Sequence, residues 1–482
     1  MYYSLKSDCY YRKYGNIGYI IRPIVSIEEV VDNVGSLFVE KLSYEPRDID
    51  EIVGELYNRF DGVDILELKK DVMSFFSKLA EDGFLNYGDD LSEYNNAGFD
   101  YSTLKGKLAL KESNAHSEES SSKFLVEYFK NSPYLTTFHI ELTSKCNERC
   151  VHCYIPHEKK DTDISSTLMY DVLKQCKDMG VLTVIFSGGE PMLHPDFCNY
   201  LHYAKDLDLN VTVLSNLTLL NKQIIKELSY KHASCVNVSL YSMQPDIHDK
   251  ITGISGSFEI TKNNILKLID NNIPVQINCP VMKQNKSSFY DVIRWGQDHK
   301  CAVITDYLIM ARYDGSVDNL KNRLSEEDLN DVINKLIEYD VIIQSNILQK
   351  DKTTNSVNPD DRVCGVGMTT LCMIANGMVY PCAGWQKYIC GDLNKNSLKE
   401  IWKNSPQVNF LRQLRQRDFK QCVNCEDAEY CLMCMGRNSN EASDGSIFYI
   451  PEITCSAAKI NRKVINKYIE EEVGGNVDYE AH

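Results

Sequence analysis

The chain reads as an α/β protein built on a parallel sheet, with a small winged-helix-like unit in front and a cysteine-rich region behind. Three observations predict this. Between residues 134 and 330, strand-like and helix-like segments alternate about six times, the pattern of parallel strands joined by crossover helices in an open sheet or part of a barrel. Residues 1–94 pass from extended aromatic segments into amphipathic helical stretches. Beyond residue 360 the periodicity fades and cysteines crowd together, as in a region held by metal rather than by a large apolar core.

In the front unit, "CYYRKYGNIGYIIRP" reads as strands. Ile49, Ile52, Val53, Leu56 and Tyr57 then recur at helical spacing, as do Val72, Phe75, Phe76 and Leu79. A polar stretch, "SNAHSEESSSK", marks a linker over 95–133 that ends in a short helix. The repeats follow: strand "TTFHIEL", helix "STLMYDVLKQCKDMG", strand "LTVIFSG", helix "FCNYLHYAKDL", strand "NVTVLSN", and so on to strand "AVITDYLIM". Residues 331–360 are expected to bridge to the last region, 361–482, which closes with a helix.

Bulk properties narrow the function. The 482 residues suggest two or three domains. A formal charge of −16 argues against a nucleic-acid partner, which needs a basic surface. In the front unit acidic residues outnumber basic ones roughly two to one, which disfavours DNA there as well. No apolar run approaches the roughly 18 residues of a membrane span, and "MYYSLKSDCYYRKYG" lacks the basic-then-apolar pattern of a secretion signal. A cytoplasmic location is expected, where thiols stay reduced, so the 18 cysteines point to metal or iron–sulfur ligation.

The segment "KCNERCVHCY" places Cys146, Cys150 and Cys153 on the loop after the first repeat strand. Three thiolates can hold three irons of a four-iron cluster and leave one iron open. A zinc site completed by His152 or His157 is the competing reading. "FSGGEP" (Phe186 to Pro191) ends the second strand; its glycines allow close backbone approach and Glu190 can accept from an ammonium. "LSN" ends the third strand with Ser215 and Asn216, Ser239 and Asn278 stand at the ends of the fourth and fifth, and Arg312 follows the sixth.

The three-cysteine spacing followed by Gly-Gly-Glu-Pro strongly resembles the radical S-adenosylmethionine (SAM) superfamily. The resemblance implies a partial (β/α)6 radical SAM barrel. The open iron would chelate the amino and carboxylate groups of SAM, whose reductive cleavage gives a 5′-deoxyadenosyl radical that abstracts hydrogen from a C–H bond. It implies SAM contacts from Gly188, Gly189, Glu190, Ser215, Asn216, Ser239 and Asn278, with Arg312 on the SAM carboxylate. "SLYSMQPDIHDKITGISGSF" resembles a segment of one branch of the superfamily and is expected to shape a loop over the substrate, His248 and Asp249 being structural.

Cys364, Cys372, Cys382, "CVNCEDAEYCLMC" and Cys455 resemble the SPASM domain of radical SAM peptide-modifying enzymes, although two residues rather than three separate Cys431 from Cys434. The resemblance implies an outer auxiliary cluster on Cys422, Cys425, Cys431 and Cys455. An inner one would use Cys364, Cys382 and Cys434, with Cys372 as fourth ligand, for three [4Fe–4S] clusters in all. A two-residue turn at Asn376-Gly377 would pair Cys372 with Pro381 and turn it away from Cys382; a bulge would remove the objection, and otherwise Cys390 or an open iron remains. Cys9, Cys176, Cys198, Cys235, Cys279 and Cys301 are expected to be ordinary buried thiols.

The front unit resembles the RiPP recognition element, which binds leader sequences of ribosomally made peptides. It would do so by β-augmentation, with Tyr19, Ile20 and Ile21 lining the edge. Taken together, the resemblance is to sactipeptide- and ranthipeptide-type maturases, and implies a precursor peptide and an electron donor such as flavodoxin or ferredoxin as partners. The expected reaction is thioether crosslinking, with carbon–carbon crosslinking as the alternative and an iron–sulfur redox-sensing DNA-binding regulator as a remote one. Ala383 stands where sulfatase-maturing relatives carry an aspartate base, which disfavours that chemistry.

Overall fold

The computed structural model of the chain describes residues 1–60, 62–90, 99–101, 124–125, 127–129, 132–340, 343 and 358–475. The expected polar linker at 113–123 and most of the expected bridge beyond residue 340 lie outside these residues.

Among the described residues the front unit holds six strands: β1 (Tyr2–Leu5), β2 (Tyr10–Tyr14), β3 (Ile17–Arg22), β4 (Ile27–Val31), β5 (Arg47–Asp48) and β6 (Leu85–Gly88). They form two antiparallel sheets, one ordered β5-β1-β6 and one β2-β3-β4. Helices Ile49–Tyr57 and Ile65–Glu81 begin at Asp48 and Asp64, whose carboxylates accept from Asp50 N and Leu66 N, a cap worth about 1 kcal/mol each. Their apolar stripes meet around Ile52, Leu56, Val72 and Phe76, sealed against Tyr3 and Ile20. Tyr57, expected on the buried face, ends its helix and is exposed.

The central sheet runs β7 (Thr137–Thr143), β8 (Thr183–Gly188), β9 (Asn210–Ser215), β10 (Cys235–Ser239), β11 (Val275–Asn278) and β12 (Ala302–Ile304). These six strands are parallel and lie side by side in sequence order. Alternate residues of β7, Phe138, Ile140 and Leu142, enter the apolar core, so His139 and Glu141 face the other side of the strand.

The cysteine-rich region continues this sheet rather than standing apart from it. β13 (Thr370–Met373) pairs in parallel with β7, and β14 (Met378–Tyr380) and β15 (Gly391–Asp392) follow antiparallel. Leu371, Met373, Val379 and Trp402 join the core of the repeats. Apolar packing therefore contributes more to this region than the faded periodicity implied.

The front unit docks through β2. Arg12 donates to the Val181 carbonyl and to Asp208 Oδ2 (3.2 and 2.8 Å), Tyr14 to the Gly180 carbonyl (3.2 Å), and Tyr44 to Asp208 Oδ1 (2.8 Å). Tyr10 and Tyr44 both pack on His232. Residues 180–181, 208 and 232 lie in the turns leading into β8, β9 and β10. The front unit thus sits at the N-terminal end of the parallel sheet.

Candidate active site

The cysteine loop leaves the opposite, C-terminal end of β7, and its backbone is held from several directions. Arg149 N and Val151 N donate to the carbonyls of Thr252 and Ile251 (2.8 and 2.9 Å). Asn322 Nδ2 donates to the Val151 carbonyl (2.9 Å) and Asn319 Nδ2 to that of His152 (3.2 Å). The segment containing His248 and Asp249 therefore braces this loop. Asp249 accepts from Gly256 N, Phe258 N and Ser257 Oγ, and His248 Nδ1 from Tyr241 N, while His248 Nε2 is buried without a hydrogen-bond partner.

Burial pushes the Cys146 thiol up to about 11 and raises Cys150 as well. Only a strong local positive charge, such as cluster iron supplies, would hold them as thiolates at neutral pH. Among the described residues no three His, Cys, Asp or Glu side chains converge on a single point as one metal ion requires. His152, the proposed zinc partner, packs its ring on Tyr241 at 5.1 Å, and burial lowers it to about 4.

The Gly-Gly turn lies directly beneath this loop. Gly188 has φ +137°, and a Cβ there would meet the Thr143 carbonyl oxygen at 2.0 Å; one at Gly189 would meet that of Lys145 at 2.1 Å. Gly189 N and Glu190 N donate to these same carbonyls (2.7 and 2.8 Å). The close approach that glycine permits is thus first an approach to the root of the cysteine loop. Glu190, fully buried, accepts from Ser215 Oγ (2.8 Å), Asn216 N (2.8 Å) and Met192 N (3.1 Å). Burial raises its carboxyl to about 7 against these bonds. Three of its roughly four acceptor positions are filled.

Asn216 Nδ2 donates to Asn147 Oδ1 in the loop (2.9 Å), and Asn147 in turn to Thr218 (2.7 Å). Ser239 and Asn278 stand side by side as the last residues of β10 and β11. Gly188, Gly189, Glu190, Ser215, Asn216, Ser239 and Asn278 are thereby gathered at the sheet end that carries the three cysteines. Arg312 is placed differently from expectation. Its Nε and Nη2 meet Asp318 (2.8 and 2.9 Å), and its Nη1 donates to the carbonyls of Cys153 and Ile155 (3.2 and 3.1 Å). With four of its five N–H donors so used, it clamps the cysteine loop instead of waiting for a ligand carboxylate.

Cys422, Cys425, Cys431 and Cys455 together line a cavity of about 340 Å³. Burial and then the neighbouring thiols of Cys434 and Cys364 push Cys382 up to about 12, so these three also stand together. The hairpin resolves the position of Cys372. Ile374 N donates to the Met378 carbonyl and Gly377 N to that of Ile374, with Gly377 at φ +86°. This three-residue turn pairs Cys372 with Tyr380 rather than with Pro381, leaving it on the same strand parity as Cys382. Cys372 feels Glu141 and Cys382, and Cys390, packed in the apolar core, also feels Cys382. Of the thiols expected to be ordinary, Cys9, Cys176, Cys279 and Cys301 are buried, and Cys198 and Cys235 partly so.

Tyr19, Ile20 and Ile21 do not line an edge. β3 is the central strand, paired on both sides, and Ile20 is wholly buried. The edge strands of this sheet are β2, which faces the repeats, and β4, which carries Glu28 and Glu29. Two buried carboxyls at the site escaped the sequence reading. Glu148 sits within the cysteine loop and accepts from the Cys150 thiol (3.2 Å). Glu141 lies on β7, where the alternation of "FHIEL" was the available signal.

Comparison with known proteins agrees with this geometry. The Radical SAM superfamily model matches residues 140–296, and the SPASM iron–sulfur cluster-binding domain matches residues 364–426. The antilisterial bacteriocin subtilosin biosynthesis protein AlbA of Bacillus subtilis is 29% identical over 324 residues, 64% of this chain and 69% of that protein. An AdoMet-dependent heme synthase of Methanosarcina barkeri is 25% identical over 336 residues, covering 64% of this chain and 92% of its own. In fold, the chain resembles Streptococcus suis SuiB, solved bound to precursor peptide SuiA, with a TM-score of 0.61 at 16% identity over 93% of this chain and 99% of that one. Both family matches fall where the structure independently gathers thiols, and the chain is therefore a radical SAM enzyme with an iron–sulfur SPASM domain, one that cleaves SAM reductively.

Proposed function

We propose that the chain matures a ribosomally synthesised precursor peptide by forming intramolecular thioether crosslinks. The observation that carries this is the meeting of two thiol-bearing segments, the cysteine loop after β7 and the β13–β14 hairpin: Tyr154 of the loop feels both its neighbour Cys153 and the hairpin's Cys372. An enzyme that removes a hydrogen atom and then an electron from one substrate needs two redox centres flanking it. The likeness to AlbA and to the peptide-bound fold of SuiB supports a peptide as that substrate.

In this reading Cys146, Cys150 and Cys153 hold the SAM cluster, and the groups from Gly188 to Asn278 described above receive SAM. Cleavage of bound SAM supplies the hydrogen-abstracting radical. Cys422, Cys425, Cys431 and Cys455 take the outer auxiliary cluster, and Cys364, Cys382, Cys434 and Cys372 the inner one. The winged-helix-like front unit binds the leader along the edge strand β4, where Glu28 and Glu29 favour basic leader side chains. A small redox protein supplies the electrons.

The test is anaerobic incubation of the reconstituted enzyme with SAM, reductant and a candidate precursor, read by mass spectrometry before and after thiol alkylation. Loss of two hydrogens per modification, with loss of alkylation, is the expected result. The same mass loss with every thiol still alkylated would replace the thioether by a carbon–carbon bond. An unmodified peptide alongside a modified porphyrin substrate would move the chain toward the heme synthase relatives.

A further inference from the structure

Glu141 is a buried carboxyl outside the set of groups assigned to SAM above. It is only 3% exposed and projects from the face of β7 opposite the apolar core. Its oxygens accept from Tyr154 Oη (3.1 Å) and, at the long distance of 3.5 Å, from Gln386 Nε2. Neither partner is a cation, and neither is a thiol.

Those two partners locate the carboxyl. Tyr154 directly follows Cys153, and its carbonyl accepts from Tyr313 N (3.1 Å). Gln386 follows the hairpin cysteine Cys382 and also donates to the Ala383 carbonyl (3.1 Å). Glu141 thus bridges the cysteine loop and the SPASM hairpin, where a substrate lying between the two redox centres would be. The titratable groups facing it are the phenols of Tyr154, Tyr313 and Tyr380, all pushed upward by burial and so neutral, and Cys372, which the reading above gives to the inner cluster. With no cation to pair with, burial lifts Glu141 to about 7, with Tyr154 and Gln386 pulling it part of the way back. A buried carboxyl that bonds only to two neutral donors, one from each segment, is placed to take up a proton released between them.

We propose that Glu141 is the proton acceptor for the peptide during bond formation, an inference that rests on the oxidative crosslinking reading. Loss of two hydrogens from a peptide divides into a hydrogen atom, a proton and an electron. The hydrogen atom passes from carbon to the 5′-deoxyadenosyl group released from SAM. The proton leaves the partner group, whether thiol or ring carbon, for Glu141. The new bond joins the two peptide atoms, and the surplus electron reduces an oxidised auxiliary iron–sulfur cluster. The assignment holds whichever bond is made, because either one releases a proton.

The test uses the full reconstituted chain and a peptide that the wild type modifies, synthesised with deuterated carbons. In Glu141→Gln, deuterium should still pass into 5′-deoxyadenosine, while the product lacking two hydrogens falls about 100-fold. Product within a few-fold of wild type would overturn the proposal. So would parallel loss of deuterium transfer and product, which marks a purely structural role. If Glu141→Gln does not take up its clusters, Glu141→Asp must show the same split in milder form, and a wild-type ratio of product to transferred deuterium there would also overturn it. A wild-type chain that modifies no peptide would instead remove the crosslinking reading itself.

Discussion

Between Lys145 and Ile155 the backbone is held by groups from distant segments: the Thr252 and Ile251 carbonyls, Asn319, Asn322 and Arg312. Between Cys422 and Cys431 the backbone bonds are short-range, each cysteine or its neighbour reaching back three residues. The ties that leave this stretch run mainly to one helix (Glu452–Gly475), through Asn461, Arg462 and Asn466. The ligands are the same amino acid in both places. In the first the rest of the chain shapes the loop by direct hydrogen bonds, and in the second four thiols line one cavity with few such bonds behind them. Metal and fold are coupled far more tightly in the second.

The largest effect should come from stripping iron with a chelator under reducing conditions. Hydrogen exchange should then collapse in residues 419–434 while residues 143–155 keep most of their protection, and Cys425→Ala should reproduce the first half of this. Equal loss in both regions would erase the contrast. Next, Gly189→Ala forces a methyl to within 2.1 Å of the Lys145 carbonyl oxygen. A loss of about 1–3 kcal/mol in denaturant unfolding, with impaired 5′-deoxyadenosine release, is expected.

Arg312→Ala releases two loop carbonyls at once, so SAM cleavage should weaken and the SAM cluster should bleach faster in air. The expected cost to stability is about 1–2 kcal/mol. Iron content at the four C-terminal cysteines should not change, and a change there would tie the two regions together. The mildest effect is a pH slope. Glu190 is held near 7 against an ordinary 4.5, so the fold favours its neutral form. Its contribution is complete below about pH 4.5 and is lost as pH rises toward 7, by at most about 1.4 kcal/mol per unit. Thermal melts of the SAM-free protein should therefore flatten over this range in Glu190→Gln.

The β/α repeats were readable because each buried strand and each helix stripe keeps its own period. The strand-end groups were readable for a related reason: once the strands are placed, their last residues are fixed. What escaped depended on pairing. Tyr19, Ile20 and Ile21 have the composition of any strand, and only the register shows that both sides are taken. The turn at Gly377 differs from a two-residue hairpin by one residue, and that residue decides which way Cys372 points. Arg312 was visible as a cation near the site, but its four acceptors come from positions 153, 155 and 318, a convergence that spacing does not reveal. Glu141 looked like the polar half of an alternating strand, which on an open sheet would simply meet water.

The docking of the front unit on the far end of the sheet sets a ruler. A six-residue strand such as β8 spans about 20 Å, and a fully extended peptide needs about six residues to cover that distance. A leader gripped at one end could present to the radical only residues at least that many positions downstream, and more if it must round the sheet's rim. Positions closer to the leader would be sheltered by geometry alone, whatever their chemistry, so shortening the spacer should move the modification along the peptide rather than abolish it.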